Sequence, residues 1–304
     1  IKTKYIQGDI LKKILFYLTF LIAFSYANEV NIYSHRHYKA DDELYKLFTK
    51  QTGIEVNILK ASANELINKL ELEGKKTKAD LLVTSDVARL YLAKEKDLFQ
   101  SIDSTFLKSA ISPHLRDKQG YWFALTKRAR VIVYNKDKMS ADDFSTYEDL
   151  AQPKFKKKIL VRKSSNIYNQ SLLASIIAND GEAKAKQWAS GVVQNFARTP
   201  RGNDRDQMKA VAAGVGDAAI VNTYYLGKLL NSTKQEEIRV GEKMAIFFPN
   251  QQGRGTHINI SGAGVTKYAK NKKNAIMLLE FLLSEQAQKV FATANYEYPA
   301  NSNV

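Results

Sequence analysis

The sequence predicts an α/β chain built as two strand–helix units that share strands. Short apolar runs alternate with amphipathic stretches along most of its length, the pattern of a parallel sheet with helical crossovers. Its 304 residues suffice for two domains of ordinary size. No flexible linker, low-complexity tract or internal repeat divides the halves, so the chain is expected to pass between them more than once.

Residues 29–34 alternate towards a strand, and the polar loop Ser34-His35-Arg36-His37-Tyr38-Lys39 follows. Asp41 or Asp42 can open a helix with Leu44, Leu47 and Phe48 on one face, closed by Gly53. Residues 54–59 form the next strand, with Ile54, Val56 and Ile58 on one side. Ser62 and Glu65 then make a capping pattern for a helix over 62–73. Residues 80–84 are a buried strand and 87–93 a helix. Further on, 121–125 and 129–134 are two strands around Lys127-Arg128, and 136–158 is a polar stretch carrying Pro153. A strand at 159–161 precedes helices at 169–178, 182–188 and 206–213. Ala218-Ala219-Ile220-Val221 is a buried strand, after which Thr223 can cap a helix running to Leu230. Pro249 ends a strand at 244–248, Gly262-Ala263-Gly264-Val265 is a tight connection, and two helices, 273–283 and 285–294, close the chain.

Composition narrows the function. Apolar residues at 44% and charged residues at 25% belong to a folded globular protein. The formal net charge is +15, yet Lys and Arg are scattered and no nucleic-acid-binding motif appears, so nucleic acid is not an expected partner. With no Cys, disulfides, thiolate metal sites, Cys nucleophiles and a lipidated Cys are excluded. Ser171 and Ser175 have no Asp–His arrangement around them, which leaves a serine hydrolase unsupported. At the N-terminus, Lys2, Lys4, Lys12 and Lys13 precede the apolar run 14–24 and the small-residue ending Ser25-Tyr26-Ala27. That order is a cleavable secretory signal, and the apolar core is short for a spanning helix.

The chemistry-bearing residues recur at strand-to-helix junctions, where open α/β sheets place their ligands. Sixteen tyrosines are present, and Tyr224-Tyr225 sit where the 218–221 strand hands over to a helix. At a frayed first turn both phenols can converge on one point. Tyr168 lies at another such junction, and His37-Tyr38 at a third. Phenolate is a hard anionic oxygen suited to a hard trivalent metal, and neutral imidazole adds a nitrogen donor. His35, His114 and His257 lack any recurrent partner spacing and read as surface or structural, while Arg36, Arg128 and Arg201 are candidate supporting charges.

Ser34-His35-Arg36-His37-Tyr38, Ser165-Asn166-Ile167-Tyr168-Asn169-Gln170 and Asn222-Thr223-Tyr224-Tyr225 resemble the ligand segments of the bacterial periplasmic ferric-iron-binding proteins, in the subgroup that uses one His and several Tyr. The likeness extends to Gly202-Asn203-Asp204-Arg205 and to residues 121–135. It implies a two-lobed, type II periplasmic binding protein, with a hinge of crossover strands and a metal site in the interlobe cleft. The implied ligands of Fe³⁺ are His37, Tyr38, Tyr168, Tyr224 and Tyr225. Other branches of the family add a Glu and an external anion. Glu65 and Glu71 lie only in the broad region of that Glu, so binding without a required anion is expected. The expected divisions are a signal peptide over 1–27, a first lobe of 28–127 with 250–284, and a second lobe of 128–249 with 285–304. The implied role is a periplasmic carrier, without turnover, that hands ferric iron to an inner-membrane ABC permease. Its mature form would be monomeric and not embedded in membrane. Two rivals stand beside it: an organic-cation or polyamine carrier with the tyrosines as an aromatic box, and a tyrosinate-iron oxidoreductase, which lacks a haem or two-His-one-carboxylate signature.

Overall fold

The computed structural model describes residues 28–304, so the signal peptide expected over 1–27 lies outside the described residues. The chain opens with β1 (Glu29–Ser34), α1 (Lys39–Thr52), β2 (Glu55–Lys60), α2 (Ala63–Glu73), β3 (Leu81–Thr84) and α3 (Val87–Glu95). Gly53 ends α1 in the left-handed region at φ 71°, and the Ser62–Glu65 capping box starts α2, both as the residue types require. A short α4 (Thr105–Ala110) leads to the 13-residue β4 (Phe123–Asn135). Next come β5 (Ile159–Leu160), α5 (Ile167–Asp180), α6 (Glu182–Gln194), α7 (Asp204–Ala212), β6 (Ala218–Asn222) and α8 (Thr223–Leu230). The chain finishes with α9 (Gln235–Glu242), β7 (Met244–Phe247), β8 (Ile258–Val265), α10 (Lys272–Leu282), α11 (Glu285–Ala294) and β9 (Tyr298–Pro299).

The strands run in the order β2-β1-β3-β8-β4-β6-β5, with β7 and β9 also paired to β4. β1, β2 and β3 are mutually parallel, whereas β8 is antiparallel to both β3 and β4. β4 is therefore the shared strand. Its first half pairs with β8 up to Ala129, and its second half, from Arg130, pairs with β6 and β7. The two stretches expected as separate strands are one, kinked by a register shift between Ala124 and Thr126. The charges at Lys127-Arg128 and Arg130 broke the apolar pattern, yet Arg128 and Arg130 are buried where the halves meet.

Gly262 and Gly264 lie inside β8 rather than in a tight connection. A Cβ at either would stand 2.6 Å from a backbone oxygen, of Phe123 and of Tyr121 respectively, so each glycine admits close backbone approach. One core gathers Val30, Leu44, Leu82, Phe123, Leu279 and their neighbours; two others fill the half beyond residue 128, around Ile132, Ile176 and Val221. Ala287, Phe291 and Ala300 join the first core, and buried Gln288 donates to the Leu125 carbonyl at 2.9 Å. Residues 285–304 thus pack with the first core, although the sequence grouped them with 128–249. The reason is that β9 pairs with Thr126 and Lys127 and holds the C-terminal helix beside it. Among the described residues no helix is long and apolar enough to cross a membrane.

Candidate metal centre

Three junctions build the site. After β1, Ser34 Oγ accepts from the Arg36 amide at 3.1 Å, turning the chain so that the Arg36 side chain enters the interior. There the guanidinium pairs with Asp41 at 2.8 Å and Glu297 at 2.9 Å, all three side chains being almost fully buried. Despite burial, Arg36 holds the Glu297 carboxyl below its usual range, and the two carboxylates hold Arg36 firmly protonated. The Tyr38 ring packs over this guanidinium, with Cζ 5.0 Å from its centroid. At the second junction, Asn166 caps α5 by accepting from the Tyr168 amide at 3.1 Å. The Tyr168 ring is surrounded by the guanidinium groups of Arg128, Arg162 and Arg130, at 5.1, 5.4 and 5.8 Å. At the third, Asp204 accepts from the Asn222 amide at 2.9 Å, and Thr223 Oγ1 accepts from the Ala129 amide at 3.3 Å. Thr223 thus ties the helix start to β4 and does not cap α8 as expected; Asn222 occupies the cap position.

These anchors bring the phenols together. Tyr224 Oη lies 3.3 Å from Tyr38 Oη and 3.4 Å from Tyr168 Oη, so one oxygen from α8 meets oxygens from both other junctions. The Tyr225 ring tilts against that of Tyr224 at 4.2 Å. His37 is exposed at the rim, its ring 5.0 Å from that of Tyr38. A cleft of about 500 Å³ is lined by His37, Tyr38, Tyr168 and Tyr225 together with Arg205 and Lys228. Tyr224 is buried beneath, 1% exposed. All five residues singled out in the sequence therefore belong to one cluster.

Burial sets the protonation of the phenols. Burial, and then the neighbouring phenols, raise the Tyr38 and Tyr224 pKa values well above the ordinary 10.0. The same causes push Tyr225 up to about 12, so these hydroxyls keep their protons at neutral pH until something displaces them. Lys228 Nζ stands 4.1 Å from the Tyr38 centroid and 5.2 Å from that of Tyr224. Burial lowers its pKa to about 8. Sequence reasoning passed over Lys228, Arg162 and Arg205; Lys228 was legible as the residue one helical turn beyond Tyr224. His35 also lines the cleft, its Nδ1 2.9 Å from Ser85 Oγ, and burial lowers its pKa. Glu65 is spent on the α2 cap and Glu71 on Lys96, so neither reaches the site. Arg201 is exposed and does not line the cleft. Among the described residues no three His, Asp or Glu side chains gather as a metal site, which leaves the phenols as the concentrated hard donors.

A two-lobed α/β chain closing tyrosines from separate junctions over a cleft is the architecture of a solute-binding protein. The chain belongs to the bacterial extracellular solute-binding protein family, whose profile matches residues 76–304. It is 49% identical to iron uptake protein A1 of Synechocystis over 91% of this chain and 77% of that protein. The major ferric iron-binding protein of Neisseria meningitidis is 26% identical, over 91% of this chain and 82% of that one. Among solved structures, Trichodesmium FutA (IdiA) in complex with iron and citrate superposes with TM-score 0.86 at 51% identity, covering 91% and 87% of the two chains. The ferric binding protein from Campylobacter jejuni does so with TM-score 0.86 at 48% identity, covering 90% and 87%.

Proposed function

We propose that this chain is a periplasmic carrier that captures ferric iron through His37, Tyr38, Tyr168, Tyr224 and Tyr225 and delivers it to an inner-membrane ABC permease without chemical turnover. The observation that carries this reading is the run of phenol oxygens Tyr38–Tyr224–Tyr168, at 3.3 and 3.4 Å, drawn from both lobes. Hydroxyls that now share hydrogen bonds would, once deprotonated, face one small trivalent ion as hard anionic donors. The names of the relatives point the same way, since iron uptake and ferric binding are what those proteins are called. The lobes we propose are 28–127 with 250–304 and 128–249, hinged on β4 and β8, with residues 1–27 removed on secretion.

Five side-chain donors make an added anion unnecessary in this reading, although the Trichodesmium structure holds citrate beside its iron. The organic-cation alternative is disfavoured because Lys228 already occupies the face of Tyr38. An organic cation leaves the phenols protonated, so nothing offsets that charge or the charges of Arg162 and Arg205, whereas Fe³⁺ would turn the phenols into phenolates that do. Addition of Fe³⁺ to metal-free protein should produce a visible phenolate-to-iron charge-transfer band that saturates at one iron per chain, with or without citrate and carbonate. Protein that stays colourless under both conditions refutes the ligand assignment, and a band that requires the anion refutes only the anion-independent part.

A further inference from the structure

A second cavity, of about 10 Å³, adjoins Tyr168 where the lobes meet, walled by Arg128 and Arg130 of β4, Asn222 of β6, and His257 and Asn259. Arg128 Nε and Nη1, Arg130 Nε, Asn222 Nδ2 and His257 Nε2 are buried and have no hydrogen-bond partner among the described residues. Arg128, Arg130 and Asn222 are each 2% exposed, so bulk water does not serve these atoms. The Asn222 amide is oriented by its Oδ1, which accepts from Arg130 Nη1 at 3.3 Å, leaving the nitrogen as donor. Four of the five orphaned atoms are thus donors whatever the tautomer of His257. Native interiors rarely leave such groups unmet.

Charge points the same way as donor count. Arg130 pairs with Asp204 at 2.7 Å, Arg162 lies 3.7 Å from that same carboxylate, and Arg128 lies 3.7 Å from Asp86. Three cations share two carboxylates, which leaves one positive charge over. A single water accepts two hydrogen bonds and must place two protons of its own. Asn259 Oδ1 already accepts from the amides of Val87 and Ile260, while Ser171, which donates to Asp86 at 3.0 Å, can take one of those protons, so a water there still leaves two of the four donors unmet. A halide accepts from four donors at once and cancels the surplus charge. The cavity holds about one water-sized particle, too little for carbonate, phosphate or citrate.

We propose that this cavity binds one monoatomic anion, chloride in a natural setting, held by Arg128, Arg130 and Asn222. Such an ion joins the shared strand β4 to β6 and backs the two guanidinium groups that pack on the Tyr168 ring. The assignment does not rest on the iron reading, and metal-free protein tests it.

Crystals of metal-free wild-type protein grown with bromide in place of chloride, measured at the bromine absorption edge, should give one anomalous peak in contact with both guanidinium groups. Density there without anomalous signal, meaning a water, overturns the proposal. In solution, the thermal midpoint of metal-free protein should rise and saturate with chloride or bromide relative to gluconate at equal ionic strength; identical midpoints overturn it as well. His257→Phe, which puts an apolar ring at the cavity wall, should abolish both the peak and the halide-dependent rise. A rise that survives unchanged in His257→Phe assigns the halide elsewhere and sinks this site. If that variant does not fold, the two wild-type measurements still decide.

Discussion

Tyr224 is the residue on which the others converge: its oxygen alone contacts two further phenols, and its ring is almost fully buried. Tyr224→Phe removes one oxygen and keeps the packing, so lost binding reports ligation. Outer-shell partners of metal ligands are worth ~10–100-fold in affinity, and a direct ligand should cost at least about 100-fold. Competition against a ferric chelator checks this, with Tyr91→Phe as the control, since Tyr91 is 57% exposed and distant in sequence from every ligand segment. Equal affinities of the two folded variants would remove Tyr224 from the shell. At this scale the clustering of the tyrosines was legible because residue type and junction position together carry the signal. Lys228 and Arg205 were given no role in the site, because a lone Lys or Arg is usually a solvated charge; spacing puts Lys228 one turn beyond Tyr224, and packing places it on two tyrosine rings.

At the level of elements, the alternating strands and helices on both sides of the shared strand followed the sequence closely. The misreadings fell where the lobes join. β4 carries buried arginines that interrupt its apolar pattern, and the β8 glycines serve close approach and not a turn; away from that join, α9 went unread because it offers few apolar residues to mark it. Partners for those buried charges come from distant segments, which no local pattern records: Arg36 after β1 meets Glu297 before β9. Removing one member of a buried pair costs about 3–5 kcal/mol, and Glu297→Gln should destabilise the protein on that order. The pH sign follows from the shift. Glu297 is depressed in the folded state by Arg36, so its contribution is present above the unfolded value of about 4.3 and is lost as pH falls through the lower folded value. Thermal midpoints of wild type and Glu297→Gln should therefore differ most near neutrality and converge in acid. A gap that stays constant down to acid unfolding would show that Glu297 acts by shape and not by charge.

The whole molecule sets how iron is held and let go. Tyr38, Tyr224 and Tyr225 have pKa values raised by burial, so each proton must be displaced when a metal enters. Binding then releases several protons and weakens steeply with acidity, and titration from pH 7 downwards should bleach the charge-transfer band; full occupancy at about pH 4 would contradict phenolate ligation. Charge also selects the oxidation state. In the proposed shell, four phenolates and a neutral imidazole around Fe³⁺ would leave a residual −1, whereas Fe²⁺ would leave −2 in a cleft partly shielded from water. Arg36, an obvious candidate for offsetting that charge, is already neutralised by Asp41 and Glu297. The compensating cations are instead Lys228, Arg162 and Arg205 on the cleft wall. Burial holds the Lys228 pKa low, at about 8; phenolates formed on metal entry would supply a counter-charge and hold its proton. Lys228→Met should therefore weaken ferric binding and leave the position of the charge-transfer band in place, because the change removes a neighbouring charge and no ligand. Paired titrations with Fe³⁺ and, under anaerobic conditions, Fe²⁺ should show strong preference for the ferric ion in wild type. Equal affinity for the two ions would overturn the charge count, and a Lys228→Met variant with unchanged ferric affinity would show that the residual charge is met by the arginines alone.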